Sequence, residues 1–307
     1  MGWLKYNTNV QLLNAKYMEQ LSNGIIEVII SPLGAEIQSI KRVASPTEYI
    51  WYGDEQYWER RSPVLFPITG RVWQNTARFD GKCYELNIHG FAHDMKFEKI
   101  IDEDRHMAFI CRADEQSLSH FPFHFELRID YTLLRNVLTV GWSVTNHDNL
   151  PMPFQIGAHP AFLYPHFQLD DDVHGYLSFD APSPLISTFL KEGFATREHF
   201  DIPLPEDGLL PLTNNAFDCD TILDTTSRIH RITLHDKAGR PFVTVRHSMP
   251  VTALWSPFGG RAPFICIEPW HGCCDEHGFH GEFCQRPFVE SVSAGSTWST
   301  KYELIIE

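Results

Sequence analysis

The feature that most constrains this chain is a side-chain alternation of period two. In Phe125-Glu-Leu-Arg-Ile-Asp-Tyr-Thr-Leu133 every odd position is apolar and every even one polar, the pattern of a strand with one face on a core and the other in water. After Arg135-Asn136 the alternation resumes at Leu138, Val140, Trp142 and Val144, so the two runs read as a hairpin. Thr76–Phe79 and Lys82–Leu86 flank Asp80-Gly81, the strongest two-residue hairpin signal. Arg228–His235 and Arg240–Arg246 flank Lys237-Ala-Gly239, and Trp298–Ile306 alternates once more. Helical periodicity is nearly absent: Asp54–Arg60 and Gln116–Ser119 have room for a turn or two each. Strands joined by turns rather than by crossover helices pair antiparallel. The expected fold is all-β, a large antiparallel β-sandwich forming a single domain over 1–307, with 1–19 as an N-terminal extension or edge strand. Pro151–Pro165 and Pro203–Pro211 read as loops, too short and apolar to be interdomain linkers.

Composition narrows the function classes. A chain of 307 residues with 43% hydrophobic positions can bury a full core and is too apolar to be disordered. Its apolar runs, such as Gly24–Ile30 and Val64–Ile68, are only a few residues long, so no segment is expected to span a bilayer. Met1–Lys16 contains no apolar signal-like stretch. Lys and Arg number 25 against 39 Asp and Glu, a net charge of −14, which disfavours nucleic acid and anionic membrane surfaces as partners. The seven cysteines, at 83, 111, 219, 266, 273, 274 and 284, are odd in number and irregular in spacing, unlike a disulfide framework. These features predict a soluble, cytoplasmic protein whose partner is a neutral or cationic small molecule.

Dinucleotide, P-loop, zinc-peptidase and nucleophile-elbow motifs are all missing, which leaves chemistry done by ordinary side chains. Gln155-Ile-Gly-Ala-His159-Pro sets a histidine before a proline, hence at a strand end or in a loop. Gly157 and Ala158 leave room for a ligand, although a strand-end histidine bonded to backbone fits the same residues. Phe264-Ile-Cys-Ile-Glu268-Pro-Trp270 places one carboxylate at the end of a hydrophobic strand, where burial is costly unless the group is paired or functional; a solvated strand-end glutamate is the alternative. Trp270 offers a flat apolar wall. Asn87-Ile-His89-Gly-Phe-Ala-His93-Asp94 carries two histidines around Gly90. Pro63–Arg71 ends an apolar strand in Gly-Arg, where Arg71 is either a surface charge or a hydrogen-bonding fork for ligand hydroxyls.

Taken in order, these segments resemble the aldose 1-epimerase (galactose mutarotase) superfamily, most closely its LacX-like branch. The matched elements are Ser62–Arg71, Phe79–Tyr84, His89-Gly-Phe-Ala, Gly157–Phe162, Asp220-Thr-Ile-Leu223 and Cys266–Trp270, running from about residue 20 to the C-terminus. The resemblance implies a β-sandwich with the sugar on a concave sheet and interconversion of the α and β anomers of a free aldohexose through the open-chain aldehyde. It implies Glu268 as general base and His159 as general acid, with no cofactor or metal. Arg71, His89 and Asp220 are implied as sugar-hydroxyl contacts. Trp270 is a stacking candidate; Trp255 is one too, though core packing suits it better. Asp218 and Asp220 are expected on one strand face. The acid–base roles require a protonated His159 and an ionised Glu268 held by hydrogen bonds or by Arg71. A monomer or homodimer is expected.

Two departures bear on the substrate. Relatives commonly have His-Gly-Phe-Ala-Arg, where this chain has His93; an imidazole holds a phosphate dianion poorly, so a free sugar is expected over a hexose 6-phosphate. A non-catalytic sugar-binding or sensing protein is the remaining reading. The Cys/His-rich stretch 271–284 suggests a zinc quartet, Cys274-x2-His277-x2-His280-x3-Cys284, though its spacing matches no standard finger and a lid-like loop is the plainer expectation. His120, His124 and Glu126 are expected together on the polar face of one strand.

Overall fold

Residues 18–218, 220–257 and 261–307 are described by the computed structural model; of the expected extension or edge strand over 1–19, residues 1–17 lie outside them, and Glu19 opens the strand Glu19–Ser22. Two large antiparallel sheets dominate. The larger has nine strands in the order Leu210–Thr213, Val173–Phe179, Arg231–His235, Pro241–His247, Thr297–Ile306, Val137–Asn146, Phe125–Leu134, His106–Arg112 and Glu98–Glu103. The smaller has six: Ile222–Asp224, Val251–Trp255, Phe264–His271, Ile156–Ala158 and Val64–Leu65 in order, with Ala161–Leu163 also on Phe264–His271. Their inner faces meet in one core that joins Leu127, Ile129, Val140 and Leu304 of the first sheet to Val64, Ile156, Ile265 and Ile267 of the second. Among the described residues no helix is long and apolar enough to cross a membrane.

The alternating runs become the strands they predict. Phe125–Leu134 and Val137–Asn146 pair residue for residue across an Arg135 turn of φ 54°. Thr76–Phe79 and Lys82–Glu85 turn at Asp80 (φ 50°) and Gly81 (φ 73°), the doubly left-handed pair that a two-residue turn demands. Thr297–Ile306 lies between Val137–Asn146 and Pro241–His247, inside the large sheet. The helical segment is Glu115–His120, capped by the Asp114 side chain on Ser117 N–H. A different outcome is found at 151–165, expected as loop: it holds three three-residue strands, Met152–Phe154, Ile156–Ala158 and Ala161–Leu163. Pro160, which lacks an N–H, separates the last two of them.

The strand Phe264–His271 positions the site. It is buried along nearly its whole length, because it is covered on both faces. Ile265 and Ile267 enter the inter-sheet core, while Phe264, Cys266 and Trp270 pack in two smaller clusters on the opposite side. Period-two geometry places Glu268 on that second side too.

Candidate active site

A cavity of about 880 Å3 opens on this second face, lined among others by Trp58, Arg71, His89, His159, Asp220 and Glu268. The six site residues singled out from the sequence, Arg71, His89, His159, Asp220, Glu268 and Trp270, all border it, and Trp255 does so as well. At its floor His159 Nε2 lies 3.2 Å from Glu268 Oε2. The two reach each other because the strand ending at Ala158 pairs with Phe264–His271, Gly157 opposite Trp270, and Pro160 then turns the chain so that Ala161 lies opposite Cys266. His159 is 6% exposed and Glu268 1%, and Glu268 Oε2 and His159 Nδ1 have no hydrogen-bond partner.

The electrostatics differ from the sequence expectation. Burial pushes the His159 imidazole down to about 3, against an ordinary value near 6.5. Burial also holds the Glu268 carboxyl well above the usual carboxylate range, and the Trp270 indole N–H offsets this only in part. Arg71 is not the group that acts on Glu268: it lies exposed at the cavity lip. Low dielectric favours the uncharged form of each group, an arrangement with a single proton, on the carboxyl. The carboxylate–imidazolium arrangement carries that same single proton and is its tautomer.

Three aromatic walls enclose the pair. Trp58 stacks on the His159 ring at 4.6 Å and 30°, and Trp255 meets it edge-on at 5.7 Å. His89, in a left-handed turn of φ 65°, stands perpendicular to His159 at 5.3 Å and near Trp270 at 5.9 Å. Its Nδ1 accepts the Gly70 N–H at 3.1 Å, so its proton sits on Nε2. Trp58 is the residue that sequence reasoning missed. The available signal was the aromatic density of Trp51-Tyr-Gly-Asp-Glu-Gln-Tyr-Trp58, which no alternation explains. Trp255 was read mainly as core and is a cavity wall.

Gly157 turns out to serve a different contact from the ligand approach expected of it. A Cβ there would stand 2.4 Å from Trp270 Cδ1 and 3.0 Å from Thr69 Cγ2; the hydrogen is needed for the indole to lie flat beside Glu268. Gly157→Ala is expected to cost about 1–3 kcal/mol through overpacking and to shift the indole, read as a lowered Tm with altered tryptophan fluorescence. Wild-type values for both would show that the strand yields without moving Trp270.

Other expectations need correction. Asp220 is not on a strand face with Asp218; it sits in an exposed bend with φ 74°, its carboxylate accepting the Thr221 N–H at 2.7 Å. Two-residue spacing aligns side chains only where the backbone is extended. His120 ends the short helix and His124 precedes the strand that carries Glu126, so helical and turn geometry separates the three. His120 Nδ1 pairs with the Glu85 carbonyl and His124 Nδ1 with Asp148. The four residues of the zinc alternative do not assemble either. Cys274 is buried against Gly70, where a Cβ would approach its own to 2.6 Å, whereas His277 packs on Trp73 and Cys284 is exposed.

Of that Cys/His-rich stretch Cys274 lines the cavity, and the stretch is held by a buried ion pair between the side chains of Asp275 and Arg286, each at most 2% exposed. Asp275 also accepts the Trp73 N–H at 2.7 Å, and its own N–H donates to the Arg71 carbonyl at 2.9 Å. Arg286 donates onward to the Cys273 carbonyl. A buried, hydrogen-bonded pair locks geometry more than it adds stability; here it fixes the loop that presents Arg71.

Comparison with known proteins agrees with this architecture. Residues 18–285 match the family model described as aldose 1-epimerase. The chain is 28% identical to the chromosomal protein LacX of Lactococcus lactis subsp. lactis, covering 94% of this chain and 98% of that one. It superposes on a galactose mutarotase-like protein from Lactobacillus casei with a TM-score of 0.89 at 31% identity, over 94% of this chain and 100% of the other. A galactose mutarotase related enzyme from Lactobacillus acidophilus gives 0.87 at 27% identity, over 94% and 97%. By family match, relatives and fold, the chain belongs to the aldose 1-epimerase family of sugar isomerases, in its LacX-like branch.

Proposed function

We propose that the protein interconverts the α and β anomers of a free aldohexose, with Glu268 as general base and His159 as general acid. The observation that carries the reading is the facing pair at 3.2 Å on the floor of an aromatic-walled cavity. The hydroxyl oxygen O1 and the ring oxygen O5 are bonded to the same carbon, so the groups serving them must be neighbours. Glu268 takes the O1 proton, the C1–O5 bond breaks with its electrons going to O5, and His159 donates a proton there. The resulting aldehyde rotates about C1–C2, and the ring closes on the other face with the roles reversed. Proton count is conserved throughout, which suits a pair holding one proton and shielded from water. Sugar hydroxyls entering the cavity supply the hydrogen bonds that Glu268 and His159 lack, favouring the charged tautomer from which the reaction starts. Indole faces pack against the C–H face of a pyranose, and the position of Arg71, His89 and Asp220 in the cavity lining supports reading them as hydroxyl contacts.

A free sugar is favoured over a phosphorylated one by His93, a cavity residue pushed down to about 4 by burial, with the Arg60 charge next in effect; it is neutral at pH 7. Arg60 is itself engaged by Asp94 at 2.8 Å. Polarimetry of freshly dissolved α-D-galactose and α-D-glucose is expected to show faster relaxation with protein than in buffer, with glucose 6-phosphate unaffected. Acceleration of the phosphate alone would transfer the assignment to hexose 6-phosphates. Sugar binding with buffer-rate relaxation would make the protein a non-catalytic binding module.

A further inference from the structure

Cys266 lies two residues before Glu268 on the same face of Phe264–His271 and is fully buried. Its sulfur, a ring nitrogen of His159 and a carboxylate oxygen of Glu268 all lie within 4.8 Å of one another. Among the described residues this is the one group of three side chains so arranged. Glu268 Oε2, on a side chain 1% exposed, has no hydrogen-bond partner.

We propose that His159, Cys266 and Glu268 form a site for a soft divalent cation, Zn2+ above all, whose binding excludes the sugar. Nitrogen, sulfur and oxygen are the donors zinc takes, and three protein ligands leave a fourth position open to the cavity. Bonds of about 2.0–2.3 Å set tetrahedral donor atoms roughly 3.3–3.8 Å apart, so closure needs side-chain adjustments of about 1 Å. Charge favours the ion: one thiolate and one carboxylate neutralise a divalent cation, giving a centre that can be buried without the penalty of an isolated charge. Binding is a ligand exchange without redox chemistry. The Cys266 thiol proton, and the proton on Glu268 where present, pass to solvent as the metal–sulfur and metal–oxygen bonds form. The ion then occupies the lone pairs that proton transfer requires. The site therefore works as a metal-sensitive brake on whatever the acid–base pair does, and it uses a different cysteine from those the spacing of 274–284 suggests.

The test is titration of chelator-treated, reduced protein with Co2+, whose bond to a thiolate gives a charge-transfer absorption band. Wild type is expected to show that band, to lose it on adding Zn2+, and to bind Co2+ more weakly in the presence of D-galactose. Cys266→Ala is expected to abolish the band, and Glu268→Gln, which keeps the thiol, to weaken Co2+ binding by about 100-fold. Circular dichroism checks that both variants fold; should Cys266→Ala fail to fold, Glu268→Gln still decides. A band that persists in folded Cys266→Ala, an affinity unchanged in Glu268→Gln, or no band in wild type would overturn the proposal. The readout is independent of turnover. A Cys266-dependent band in a protein that does not accelerate mutarotation would sink the catalytic reading alone, and acceleration without a band would sink the metal site alone.

Discussion

Glu268→Gln is expected to lower the protein-dependent mutarotation rate by about 10²–10⁴-fold while making the protein more stable at pH 8. The activity loss follows because the amide cannot take the O1 proton yet keeps the side chain's shape. The gain in stability follows from burial. The native carboxyl is held well above its unfolded value of 4.5, so native and unfolded states both carry the proton at low pH. As pH rises above 4.5 the unfolded chain releases it first and the native state is increasingly penalised, until the folded group itself ionises. Glutamine removes that penalty, so its stabilising effect appears above pH 4.5 and grows with pH until the folded carboxyl ionises. Melting curves at pH 4.5 and pH 8, set beside polarimetry, check both halves. Equal rates would remove Glu268 from the chemistry, and a stability difference independent of pH would show that its carboxyl is not held neutral by burial. His159→Asn is expected to match the rate loss without this pH signature.

Mild acid is expected to unfold the protein. Burial pushes His159 down to about 3 and His93 and His247 down to about 4, and it holds His89 well below the ordinary imidazole range, helped by the neighbouring His159. In the unfolded chain each takes up its proton near pH 6.5. The unfolded state therefore binds more protons as pH falls below 6.5, and stability drops until the folded groups also titrate at about 4 and below. Several such groups give a slope on the order of 2–5 kcal/mol per pH unit, enough to exhaust an ordinary stability of about 5–15 kcal/mol before pH 4. Urea melts at pH 7, 5.5 and 4.5 measure the slope, and His159→Asn is expected to reduce it by about one proton's worth. A stability flat from pH 6.5 to 4.5 would mean that these imidazoles are not held neutral in the fold.

Much of the architecture was legible because period two is local. The runs at Phe125–Leu133 and Leu138–Val144, and the turn at Asp80-Gly81, report which side chains face inward without reference to any distant residue. The candidate pair was legible in another way: Glu268 sits oddly at the end of a hydrophobic strand and His159 before a proline, and both fell on the segments that resemble a family. Elsewhere local pattern failed for physical reasons. Asp220 was placed by counting along a strand that the chain does not form there, and His120 and His124 likewise. The zinc quartet counted ligands without knowing that Cys274 turns in against Gly70 while Cys284 turns out.

What the amino-acid sequence determined alone is the set of antiparallel strands, their turns and the identities of the groups able to move a proton. Tertiary structure decided everything that depends on being covered from two sides. Phe264–His271 is buried along both faces and carries apolar residues on each, so its pattern cannot tell core from cavity. Only the tertiary packing around that second face raises the Glu268 carboxyl by burial, and only strand pairing brings His159 to it and both within 4.8 Å of the Cys266 sulfur. Desolvation is a sum over neighbours from many parts of the chain, and no window of sequence contains that sum.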